Sequence, residues 1–74
     1  MARLQWERDT DDPRTFHGFI PGETVRKVAQ VAFWTKDGAY HVALPRGDGT
    51  LYWRDRAFAH VSEAQTWAEE QFYS

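Results

Sequence analysis

The sequence contains no cysteine and no asparagine, a single methionine, and neither lysine nor arginine beyond Arg56. Without cysteine there is no disulfide framework and no thiolate metal site, so stability rests on packing. Without asparagine, the turns fall to aspartate, glycine and proline. No apolar run approaches the roughly 18 residues of a membrane span, and the opening MARLQWERDT has no signal-peptide core. These absences predict a soluble, cytoplasmic protein that stays off membranes.

What is present is a short chain rich in rings. The 74 residues, 42% hydrophobic and 16% aromatic with four Trp and five Phe, predict one small domain, 1–74, that folds by burying a few large side chains. The formal net charge of −2 is the wrong sign for a general nucleic-acid binder, and its distribution is uneven. Residues 1–24 hold three arginines against five acids, residues 25–58 six cations against three acids, and residues 59–74 three glutamates and no cation. A basic middle is flanked by acidic ends.

Four turn signals divide the chain: DTDDPR (9–14), PGE (21–23), KDG (36–38) and RGDG (46–49). Between the last two, AYHVALP is short and alternating, which predicts a strand. A two-residue turn at Asp37-Gly38 sets Val31, Phe33 and Thr35 opposite Leu44, Val42 and Tyr40 on one apolar face. A two- or four-residue loop within RGDG then adds Leu51 and Trp53 to that face and sends Tyr52, Arg54 and Arg56 to the other, beside Ala39, His41 and Ala43. TVRKVAQVAFW also has helical spacing at Val25, Val28, Ala29 and Ala32, but its run into an Asp-Gly turn favours a strand from about Val28. The C-terminal segment carries Val61, Ala64, Trp67, Ala68 and Phe72 at helical spacing, with His60 near the N-cap and Glu63 three residues on.

The expected fold is therefore α+β: a three-stranded antiparallel meander (25–58), with or without an extra N-terminal edge strand, packed on one C-terminal helix (60–73). RLQWER reads as a short edge strand, and Phe16, Phe19 and Ile20 form an apolar cluster after an acidic loop. This arm, 1–24, is expected on the sheet edge or on the mixed face.

Catalytic groups are sparse. His17, His41 and His60 fall on different elements without metal-ligand spacing. Asp11-Asp12 and Glu69-Glu70 read as solvated pairs, and RGDG lacks the Lys-Ser/Thr ending of a phosphate loop. No enzyme activity, metal or cofactor is expected. Two surfaces are better candidates. Trp34, His41, Tyr52, Arg54 and Arg56 surround small alanines on the mixed face, as a base-stacking sheet would require, unless the N-terminal arm fills that face. Glu63, Glu69 and Glu70 make an acidic helix, against the macrodipole at its C-terminal end, that suits a basic partner.

The segment FAHVSEAQTWAEEQF (58–72) resembles the F-x-T-x-E-E-A-x-x-W-A-E helix that closes many small phage and prophage proteins built from a β-meander and one helix; Phe58, Ala64 and Trp67 match it and His60 replaces its Thr. LQWERD (4–9) is similar to the opening of such proteins. The order of elements is also similar to AP2 and integrase arm-binding domains, whose sheet enters the DNA major groove, although their Arg-Gly-Val-Arg entry is absent here. The resemblance implies a phage or mobile-element accessory factor that modulates a host protein or nucleoprotein complex in the host cytosol, as anti-CRISPR or polymerase-binding proteins do. The alternatives are a small sheet-based nucleic-acid module and an oligomerisation module, so that the protein is a monomer or a homodimer.

Overall fold

A computed structural model describes residues 3–74. Five strands precede one helix: β1 (Gln5–Arg8), β2 (Thr15–Phe19), β3 (Ala29–Trp34), β4 (Ala39–Pro45), β5 (Leu51–Phe58) and α1 (Val61–Phe72). The strands form one antiparallel sheet in the order β1-β2-β3-β4-β5. The fold is α+β as expected, but the meander has five strands rather than three. The N-terminal arm does not fold over a face; it extends the edge, β1 on β2 and β2 on β3. Phe16 thereby comes opposite Val31 and shares its apolar face.

The β3–β4 hairpin closes with a four-residue loop, because Trp34 pairs with Ala39 and Val31 with Val42. The two-residue turn expected at Asp37-Gly38 shifts this pairing by two residues. Both registers bury the same side chains, so the hydrophobic pattern cannot separate them; the turn chemistry does. Gly38 takes φ +66° and donates its N–H to the Trp34 carbonyl at 2.8 Å, while Asp37 accepts from the Ala39 N–H at 3.2 Å.

The second hairpin overturns a larger expectation. Arg46 donates to the Thr50 carbonyl at 2.8 Å and Gly49 to the Arg46 carbonyl at 2.9 Å, leaving a three-residue loop, 47–49, with Gly49 at φ +87°. Such a loop ends on a left-handed residue, the conformation glycine adopts without steric cost. An odd loop reverses parity, so Leu44 faces Tyr52 and Ala43 faces Trp53. Further along, Val42 alone spans the interval in which β5 places Arg54, Asp55 and Arg56, between the pairs Ala43↔Trp53 and His41↔Ala57. That even excess bends β5 without exchanging its faces. Leu51 and Trp53 therefore lie away from the helix, and Tyr52, Arg54 and Arg56 lie on its side.

The helix crosses β3, β4 and β5 and buries Ala64 and Ala68 completely. Two alanines one turn apart let it sit close over Val31, Val42 and Leu44, while Val61, Trp67 and Phe72 close the sides. His60 is the N-cap in extended conformation, but its side chain makes no capping bond. Among the described residues no helix is long and apolar enough to cross a membrane.

Candidate functional site

The sheet face opposite the helix is covered by no second layer of secondary structure among the described residues. Its floor is small: Ala32 and Ala43 are 8% and 3% exposed. Over that floor Trp34 lies flat on His41, ring centroids 3.7 Å apart and 15° between planes, and meets Trp53 edge to face at 5.3 Å. Trp53 is 40% exposed, so the cluster presents an indole to solvent. The edge-to-face Trp34–Trp53 pair is an arrangement that ring quadrupoles favour, and with the close Trp34–His41 stack it fixes the two indoles against each other.

Two aspartate–histidine pairs fix the rim. His41 Nε2 lies 2.7 Å from Asp37 and His17 Nε2 lies 2.8 Å from Asp9. A carboxylate only accepts, so each Nε2 carries the proton. Both carboxyls are held below their ordinary value, first by this hydrogen bond; the backbone N–H groups of Asp11 and Asp12 add to the effect at Asp9, and that of Ala39 at Asp37. Glu7, opposite His17 on β1, adds a third acid to this side. Lys27 bonds Gln30 at 3.0 Å.

The arginines divide differently. Arg8 stands over Phe16, Arg14 over Phe33, Arg46 and Arg54 over Tyr52, and Arg56 over Phe58 and Trp67. All these rings belong to the helix side. Of the five side chains expected on the mixed face, the structure brings together Trp34 and His41 and places Tyr52, Arg54 and Arg56 across the sheet. Arg54 is half-buried there, donating to the Pro45 carbonyl at 3.3 Å. The residue missed from sequence is Trp53, whose signal was the glycine that ends the three-residue loop.

The acidic helix also divides. Glu69 Oε2 accepts from the Leu4 N–H at 2.9 Å and from the Trp6 indole N–H at 3.1 Å, tying β1 to the helix. Glu63 and Glu70 are exposed and line a groove of about 380 Å³ with Phe58, Ser62, Thr66 and Trp67. Among the described residues, no three His, Asp or Glu side chains come together as a metal ion would require.

Comparisons with family models, curated proteins and solved structures found no match to this chain.

Proposed function

We propose that the protein is a non-enzymatic binding protein whose open sheet face docks on the surface of another protein. The observation that carries this reading is the Trp34–Trp53 cluster over the Ala32 and Ala43 floor, an ordered aromatic surface left without a covering layer. Exposed, rigid indoles of this kind are enriched at interface centres. The rim chemistry favours protein over nucleic acid, because Asp9, Asp37 and Glu7 stand on this side and the ring-stacked arginines stand on the other. Carboxylates beside a phosphate chain repel it. The likeness of residues 58–72 to phage closing helices supports an accessory factor that occupies a host macromolecular complex in the cytosol, of the anti-CRISPR or polymerase-binding kind.

The test is capture from bacterial lysate by immobilised protein, compared with Trp34→Ala and Trp53→Ala variants. A defined protein retained by the parent and lost by both variants is expected. Equal capture by parent and variants removes the sheet face as the contact. A low-salt gel shift on short DNA that survives in the tryptophan variants establishes the nucleic-acid alternative instead, and a concentration-dependent dimer that Trp53→Ala dissolves establishes oligomerisation through this face.

A further inference from the structure

On the opposite side of the sheet, α1 and the end of β5 border an open groove with a chemistry of its own. We infer that the groove between them takes an arginine- or lysine-bearing segment of a protein partner, an inference that rests on reading the chain as a protein-binding module. The floor is aromatic: the Phe58 and Trp67 rings lie 5.6 Å apart and tilted by 45°. The wall is anionic: Glu63 and Glu70, two helical turns apart and so about 10 Å along the axis, both line the groove with the hydroxyl residues Ser62 and Thr66. Among the described residues neither glutamate forms an ion pair.

Residues 59–74 contain three glutamates and no cation, so the helix supplies no balancing charge of its own. Glu69 is held by Leu4 and Trp6, which leaves Glu63 and Glu70 as the free pair. Glu70, in the last turn, also opposes the helix dipole. A cation seated beside Glu70 relieves that opposition.

The chain itself shows which ligand the rings accept. The Arg56 guanidinium carbon stands 5.4 Å from the Phe58 centroid and 5.6 Å from that of Trp67, within cation–π range of both. Arg56 is exposed and makes no ion pair among the described residues. An incoming guanidinium replaces this contact and gains the two carboxylates that Arg56 leaves unpaired. Arg56 is thus a placeholder that competes with the partner, and its removal strengthens binding. An acidic partner held by Arg56 requires the opposite sign.

The probe is a short helical peptide presenting two arginines seven residues apart on a leucine face, with a citrulline-for-arginine peptide as neutral control. Binding is followed by two-dimensional NMR of isotope-labelled protein, with four indole N–H signals as reporters. The Trp6 indole, bonded to Glu69, reports that the fold is intact. The arginine peptide is expected to shift the Trp67 indole and the Ser62 and Thr66 amides, and the citrulline peptide to do so far less. Glu63→Gln with Glu70→Gln should weaken the arginine peptide by about three- to tenfold, the scale of two exposed charge pairs, while Arg56→Ala tightens it. No shift at Trp67 at millimolar peptide, equal binding of the citrulline peptide, or weaker binding to Arg56→Ala overturns the inference. Shifts confined to Trp34 and Trp53 also overturn it but leave the sheet-face reading standing, and that reading fails separately in the capture experiment.

Discussion

The carboxylate of Glu69 and the indole of Trp6, 63 residues apart in the chain, meet at 3.1 Å, and the same Oε2 accepts the Leu4 N–H. One helical side chain therefore fastens the edge strand to the layer above it. Glu69→Ala leaves two half-buried donors without their acceptor and should cost about 1–3 kcal/mol; Glu69→Gln, which keeps an acceptor oxygen, should cost less. Urea unfolding measures both, and hydrogen exchange should locate the loss in β1. An alanine variant as stable as the parent contradicts the tie.

Trp6 can cross β2 because Gly18 lies beneath it. A Cβ at Gly18 would stand 3.0 Å from Trp6 Cζ3 and 3.1 Å from Ala29 Cβ, tighter than most packed Cβ contacts, so the indole or the strand must give way. Gly18→Ala should destabilise by about 1–3 kcal/mol through overpacking. In the background Trp6→Leu the same change should cost clearly less, and a double-mutant cycle without coupling argues against this contact.

The loop that sets the parity of β5 depends on one glycine. Gly49 has φ +87°, whereas Gly47 has no left-handed angle and open space around its Cα. Gly49→Ala should lower stability by about 1 kcal/mol while Gly47→Ala changes it little. Thermal melts of the two variants make the comparison, and equal Tm values count against the three-residue loop.

Acid should weaken the rim before it weakens the core. Asp9 and Asp37 have folded pKa values below the ordinary 3.8, chiefly through His17 and His41. A depressed carboxyl adds stability that is fully present above 3.8 and is lost as pH falls through the folded value. The Asp9→Asn, Asp37→Asn variant should therefore show a shallower loss below pH 3.8. Some slope remains, because Asp48 is also lowered, first by the Thr50 hydroxyl. Carboxyl titration by NMR checks the origin, and midpoints for Asp9 and Asp37 at or above 3.8 exclude it.

The legible part of this protein was whatever depends on local periodicity. Helical spacing at Ala64, Trp67, Ala68 and Phe72 predicted α1, and alternation in AYHVALP predicted β4, because burial on one face leaves a repeat of 3.6 or 2 in the side chains. The glutamates at 63 and 70 were also visible as helix acids. The faces of β3 and β4 followed despite a register error, since a slip of two residues returns every side chain to its own side.

The hydrophobic pattern did not settle the face of β5. Whether Tyr52 or Trp53 meets the helix depends on one residue of loop length, and TLYWRDRAF has bulky and charged residues in both phases, so either side satisfies a hydrophobic count. Long-range partnerships were equally hidden: Glu69 reads as a solvated acid until the edge strand is in place, and Phe16 reads as part of a loose arm until it faces Val31. The sequence by itself determined β3, β4, β5 and α1 and how strongly they are apolar, because those are sums over neighbouring residues, whereas β2 became a strand only through its pairing with β1 and β3. Tertiary structure alone decided which side chains are spent on packing and which are left to bind, because that depends on pairings between residues far apart in the chain.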